Sequence, residues 1–421
     1  VLSRRQWLSA LALAPTGALA GAGCRGRSSA TTVRFWNGFT GPDGRTMLAL
    51  VKRFNAANPD IHVLMQRMDW ATYYNKLFVA GLGDRAPEVF VLQTHAMPRF
   101  ARARFVRPID DLVAGVAPLD TGDIDPNVYE AVHIGDSHFG IPLDIWTLGM
   151  YYNRTLFEQA GVTAPPTDKE SFLDAALKIT RKGSGAEPDR WGFVFTNLES
   201  NVYTIMRQFG GAFFTPDNRT CIVHHPQNVA ALQFCADLIR RYKVAPSPEN
   251  YDAWIGFRQG KIGMVFEGIY MLADLQKQSD LAFGGAPVPT LGTQRAVWTG
   301  SHNLCLRADL QGASLDAAWR FVRFLSDNSL DWAQGGQVPV RRSLRATERF
   351  AKMEIQSAFA TQIPFVRYLP RLTVIFEFQT EFGLAIEKAL RGRATPDEAL
   401  ATAQTNINRI LARDRRALES V

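Results

Sequence analysis

Between Thr32 and Thr94 the chain alternates apolar runs of strand length with amphipathic segments of helix length, and that alternation limits the fold more than any other feature. Thr32-Val-Arg-Phe-Trp reads as a strand, Asn37 to Gly44 as a turn-rich loop, and Arg45 to Asn58 as a helix. A second strand ends near Asp69-Trp70. The helix Tyr73 to Gly81 places Tyr74, Leu77, Phe78 and Gly81 at i, i+3, i+4 and i+7, and Glu88 to Gln93 is a buried third strand. Strand–helix–strand spacing of this size implies parallel βαβ units. In open sheets built this way ligands lie outside the carboxyl ends of the strands. The loops Trp36–Gly44, Asp69–Tyr73 and Gln93–Met97 fall there. A chain of 421 residues exceeds what one hydrophobic core organises, so two domains are expected.

The second constraint is the stretch Gly140 to Gly161. It reads as an extended segment, an apolar strand from Leu148 to Tyr152, and a short helix from Arg154 ended by Gly161. Asp144 and Trp146 sit just ahead of the apolar run. Further on, helices are expected over Ser171–Arg181, Tyr203–Phe209, Asn228–Tyr242 and Ala317–Leu325, with a strand at Trp191–Phe195. The tail from Phe376 is helical, and Thr395-Pro-Asp-Glu opens a capped helix with proline in its first turn.

Several blocks, in order, carry a resemblance. FWNGFTGPDG, FNAANPDIHV, APEVFVL and RPIDDL precede the Gly140–Gly161 stretch and its sequel Thr163-Ala-Pro-Pro-Thr-Asp. GKIGMVFEGIYML, FGGAPVP, WTGSHNLCL, FLSDNSLDWA and QVPVRRS follow it. Over Thr32 to Arg413 this order resembles the extracellular solute-binding proteins of the sugar-binding kind, the maltose-binding-protein superfamily. The resemblance implies an α/β, two-lobe periplasmic-binding-protein fold (type II). Each lobe would be a mostly parallel sheet flanked by helices, joined by three hinge crossings. The lobes would comprise 32–144 with 300–327, and 145–299 with 328–421. It also implies the substrate-binding component of an ABC importer, monomeric and free of cofactors, that hands a carbohydrate to permease subunits served by a cytoplasmic ATPase.

The amino terminus reads as an export signal over residues 1–24. Ser3-Arg4-Arg5-Gln6-Trp7-Leu8 resembles a twin-arginine motif, with Trp7 where Phe is commoner. An apolar run to Ala22 is too short to span a membrane, and Gly21-Ala22-Gly23-Cys24 resembles a lipobox with Gly21 where Leu is usual. The expected location is the periplasm or the outer face of the cell membrane, anchored through lipidated Cys24. The net charge of +7 does not indicate nucleic acid. Arg4, Arg5, Arg25 and Arg27 supply four of the charges, no acid occurs before residue 31, and no basic run interleaves with aromatics. Of the remaining cysteines, Cys221 and Cys235 are spaced either to bridge a strand to the next helix or to stay free, and Cys305 is left over.

A sugar presents apolar ring faces to aromatics and hydroxyls to acceptors and donors. Candidate platforms are Trp36, Trp146, Trp254, Tyr270, Trp298 and Phe376; the resemblance gives Tyr270 the stacking role. Candidate polar partners are Asn37, Asp69, Gln93, His95, Asp144, Glu199, Asn201, Glu267, Ser301 and Arg341. Taken singly, each aromatic is more often a core residue and each polar group a helix cap or loop residue. Their grouping at strand ends and crossings favours a shared site. Two other functions are open. A glycerol-3-phosphate or glycerophosphodiester receptor would grip its ligand with Arg341, Arg367 or Arg371. A periplasmic carbohydrate-active enzyme would use Asp144 and Glu267 as acid and base. The chain has no G-x-S-x-G elbow, no H-E-x-x-H pair and no G-K-[ST] phosphate loop. A role presenting ligand to a chemoreceptor is compatible with the receptor reading.

Overall fold

The computed structural model describes residues 30–419 except 84, 183–187 and 249–251; the export signal and Cys24 lie outside the described residues. The first sheet is built as the spacing implies. Strands Thr31–Asn37, Ile61–Arg67 and Val89–Gln93 run parallel, with Thr31–Asn37 in the middle. They are linked by helices Pro42–Ala57 and Trp70–Leu82. Met47, Leu50, Val51 and Phe54 line the buried stripe of the first helix. Phe54 and Phe35 both pack edge-on against Phe321 of the helix Gly312–Asp327, at 5.0 and 5.1 Å between ring centroids. Two further strands, His302–Leu306 and Ile141–Pro142, complete this sheet antiparallel.

The second sheet is organised by Asp144–Asn153, buried along its whole length except at Tyr152. It pairs antiparallel with Ile262–Gly268, Phe283–Ala286, Val297–Gly300 and Val338–Pro339. Parallel pairing is confined to Ile262–Gly268 with Pro188–Val194 and to Val297–Gly300 with Val366–Arg367. The lobes are therefore mixed sheets, not the mostly parallel ones expected. The difference lies in the crossings, because a chain that returns from the other lobe enters its new sheet against the local direction. Helices Lys169–Ile179, Leu198–Gln208, Pro226–Arg240, Ile375–Leu390 and Pro396–Glu419 cover this sheet. Asp168 and Ser171 form a capping box on the first of these. Thr395 and Glu398 do the same on the last, each donating its backbone N–H to the other's side chain.

The chain passes between sheets at Leu143, at Ser301 and beyond Gly335. The third passage comes late, since Asn328 and Asp331 still bind Arg53 of the first helix at 2.5 and 2.7 Å. Arg341 then anchors the arriving segment to Asp123 and Asp327 at 2.9 and 2.5 Å. Cys221, Cys235 and Cys305 are buried free thiols, so of the two states left open for Cys221 and Cys235 the structure has the unbridged one. Denatured protein lacking residues 1–24 will titrate with three thiols per chain without reductant; a Cys221–Cys235 bridge would give one.

Candidate ligand cleft

A cleft of about 600 Å³ opens between the two sheets. Local sequence explains how each wall residue arrives there. The loop after the first strand carries Gly38 to Gly41 into the Pro42 helix start and sets Asp43 in its first turn. Asp69 caps the next helix by accepting the Thr72 N–H at 3.0 Å, which turns Trp70, the first helical residue, toward the cleft. Gln93 ends the third strand and His95 follows it. From the second lobe come Trp146 on the long strand, Asn197 at a helix cap, Tyr270 and Met271 after Ile262–Gly268, and Trp298. Phe376 and Gln379 reach in from the helix Ile375–Leu390.

Aromatic rings form a continuous arc across both lobes. Phe376 meets Tyr74 at 5.2 Å, Tyr74 stacks on Trp70 at 5.7 Å, and Trp70 lies nearly parallel to His302 at 5.6 Å and 10°. His302 reaches Trp146 at 5.7 Å, and Trp146 touches Trp298 and Tyr270 at 4.8 and 6.2 Å. Trp298 and Tyr270, partly exposed at the far end, have surface to offer a ligand.

Behind this arc lies Asp144, fully buried. One carboxylate oxygen accepts the His302 backbone N–H at 2.9 Å, and the other accepts the Trp332 indole N–H at 2.6 Å. His302 Nδ1 stands 2.8 and 3.1 Å from the two oxygens. Asp144 begins the strand after the first passage, His302 follows the second, and Trp332 precedes the third. One carboxylate therefore ties together all three.

The wall mixes aromatic and polar side chains. Among the described residues that line it there is no lysine or arginine. Burial pushes the Asp43 carboxyl above its ordinary range, with the Gly44 N–H partly offsetting the effect. Burial lowers His95 to about 4, so this imidazole is neutral near pH 7. Tyr74 donates its hydroxyl to Gln93 at 3.0 Å, fixing that amide. The Trp146 indole N–H is buried with no partner among the described residues.

Of the residues singled out from sequence, Gln93, His95, Trp146, Tyr270, Trp298 and Phe376 line the cleft. The others lie outside its wall. Asn37, fully buried, accepts the Phe39 N–H at 3.2 Å and shapes the first loop. Trp36 lies under Lys76 at 5.6 Å. Asp69 is spent as a cap, and Ser301 bonds the Tyr368 hydroxyl at 3.0 Å. Asn201 donates to the Phe266 carbonyl, Trp254 to Asp274, and Arg341 is held in its two ion pairs. Glu199 sits half-buried in a helix first turn, its carboxyl pushed up by burial. Glu267 accepts the Tyr270 hydroxyl at 3.0 Å and so holds a wall residue from behind; its carboxyl is also pushed up by burial. Neither Asp144 nor Glu267 lines the cleft, so the pair is not presented there as an acid and base. Arg371 binds the carbonyls of Glu130 and His133, and Arg367 that of Val366; neither lines the cleft. Sequence reasoning missed Asp43, Trp70, Tyr74, Asn197, His302 and Gln379.

Two sheets, three passages and a walled cleft between them define a two-lobe binding protein. The chain belongs to the bacterial extracellular solute-binding protein family, whose model matches residues 39–329. A putative binding protein of Brucella abortus is 22% identical over 375 residues, covering 86% of this chain and 88% of its own. The solved ABC substrate-binding protein Lmo0181 of Listeria monocytogenes, in complex with cycloalternan, superposes with a TM-score of 0.82 at 22% identity, covering 91% of this chain and all of its own. UgpB of Mycobacterium tuberculosis, in complex with glycerophosphocholine, gives 0.80 at 22% identity over 92% of this chain and all of its own.

The depressed His95 sets a pH expectation. Between about 6.5 and 4 the unfolded chain binds a proton at this position that the folded chain does not, so stability falls as pH drops through that window. Urea unfolding at pH 7 and pH 4.5 will show a smaller acid loss for His95→Gln than for the wild type; equal losses would refute the depressed value.

Proposed function

We propose that the protein is the receptor of an ABC importer that captures an uncharged carbohydrate between its lobes and releases it to a membrane permease. The observation that carries this reading is the composition of the cleft. Partly exposed aromatic surface comes from both sides of the cleft, from Trp70, Tyr74 and Phe376 and from Trp298 and Tyr270. Asp43, Gln93, His95, Asn197, His302 and Gln379 supply acceptors and donors for hydroxyls, and no lysine or arginine stands among the lining residues. Lmo0181 with its cycloalternan supports a sugar as cargo.

The likeness to UgpB raises a glycerophosphodiester as the second reading. A phosphate prefers cationic, bidentate partners. The cleft wall instead holds a carboxyl, and Arg341 and Arg371 are engaged elsewhere. Charge therefore favours the sugar. Binding from both lobes at once stabilises the closed arrangement, which is how capture and hinge motion become one event.

A thermal-shift screen of protein lacking residues 1–24, against glucose, galactose, mannose, maltose, maltotriose, glycerol 3-phosphate and glycerophosphocholine, tests the reading. A ligand at 100 times its Kd adds about 2.7 kcal/mol. A sugar hit, recovered chemically intact and weakened about 10- to 100-fold by Trp298→Ala, is expected. Hits with the phosphates alone would transfer the function to the second reading, and turnover of a sugar would make the protein an enzyme.

The reading also places the receptor outside the cytoplasmic membrane, tethered through Cys24. Cys24→Ser will move the full-length protein from the membrane fraction to the soluble exported fraction; unchanged partition would refute the tether.

A further inference from the structure

His302 joins the cleft wall to the node of the three passages. Its ring lines the cleft while its Nδ1 bonds the carboxylate that joins the three passages. Only 4% of the residue is exposed. The ring is held flat against Trp70, with Phe39 edge-on at 4.9 Å. Phe39 also touches Trp332 at 4.7 Å, so the ring cannot swing without disturbing the indole that donates to Asp144. Nε2 makes no hydrogen bond to the described residues, and it is not one of the buried unpaired atoms.

We propose that His302 is a ligand-contacting residue that selects a hydroxyl donor and couples that contact to lobe closure through Asp144. The proposal rests on the carbohydrate-receptor reading above. Its chemistry follows from the carboxylate. Asp144 accepts only, which dictates the tautomer: in the neutral imidazole the proton is on Nδ1, and Nε2 is left toward the cleft as an acceptor. A sugar hydroxyl donates to that nitrogen. An ether oxygen, a carbonyl or a phosphate dianion offers only lone pairs and is turned away. Donation into Nε2 polarises the ring and strengthens the Nδ1–H bond to Asp144. That bond, with those from the His302 backbone and Trp332, exists only while the three passages keep this mutual arrangement. Ligand contact at one ring nitrogen is thereby felt at the hinge. Asp144 is a positioning residue in this scheme and touches no ligand.

The test combines a tautomer measurement with two variants. Nitrogen-15 NMR of the ligand-free wild type at neutral pH is expected to show His302 protonated on Nδ1 and bare on Nε2; a proton on Nε2 overturns the proposal. His302→Phe keeps a ring on Trp70 but removes both nitrogens. Asp144→Asn keeps the shape but no longer dictates the tautomer. Whichever sugar among glucose, galactose, mannose, maltose and maltotriose gives the largest melting shift serves as the probe. Each variant should lose about 10- to 100-fold in affinity for it. Each should also lose part of the compaction that the sugar produces in small-angle X-ray scattering. Asp144→Asn should in addition move the His302 proton toward Nε2. If Asp144→Asn does not fold, His302→Phe alone decides. Affinity and compaction equal to wild type in a folded variant overturn the proposal. If none of the five sugars binds, the carbohydrate reading fails and this proposal with it, whatever the tautomer.

Discussion

The buried carboxylate of Asp144 is the interaction on which the two-lobe arrangement depends. Three segments that are distant in sequence meet at it, through a backbone N–H, an imidazole and an indole. A charge so deeply buried is tolerable only when its lone pairs are occupied. Removing one partner from such a cluster typically costs about 3–5 kcal/mol, because the charge is left behind unpaired. The same requirement fixes how the passages cross. Leu143 donates its N–H to the His302 carbonyl, and Val338–Pro339 pairs with the start of the Asp144 strand. The hinge is thus a polar node in an aromatic surround, a place where chains can rotate while their hydrogen bonds define a preferred angle.

The cleft inherits its character from that node. Because Asp144 holds His302, and His302 holds Trp70, the aromatic arc is continuous from the first lobe to the second. Its middle members His302 and Trp146 are buried and serve as scaffold; Trp70, Tyr74 and Phe376 on one side and Trp298 and Tyr270 on the other keep accessible ring surface. Electrostatics point the same way as the rings. Burial keeps His95 neutral and disfavours the charged form of Asp43, so a ligand entering the cleft meets acceptors and donors more than fixed charge. This suits a polyol and opposes a dianion.

Much of the fold was legible from sequence because periodicity reports burial directly. The parallel units over residues 31–93 and the capped last helix follow from spacing and cap residues, whereas the crossing before Asp144 was implied by the family resemblance. The antiparallel pairing was not legible, since strand direction depends on which lobe the chain is returning from. Within the site, reasoning by residue type went astray by one or two positions. Asp69 stood out as a polar residue at a strand end, yet its carboxylate is consumed as a cap, and it is the next residue, Trp70, that faces the cleft. Ser301 was chosen over His302, although the serine turns to Tyr368 and the histidine to the ligand space. Asn201 was chosen over the cap residue Asn197. A cap signal, read first, would have told which polar groups were already spoken for. His302 carried no such signal, because its partner lies 158 residues away in the chain.

The central claim, that ligand closes two lobes about the Asp144 node, is tested most directly by a distance across the cleft. Spin labels at Leu82→Cys and Ile255→Cys would sit on exposed helix positions of the two lobes, in a chain lacking residues 1–24 whose own thiols are buried. Pulsed electron resonance is expected to give a broad distance distribution without sugar and a single, shorter distance with saturating sugar. An identical distribution in both conditions, with binding verified by calorimetry on the same sample, would contradict the account.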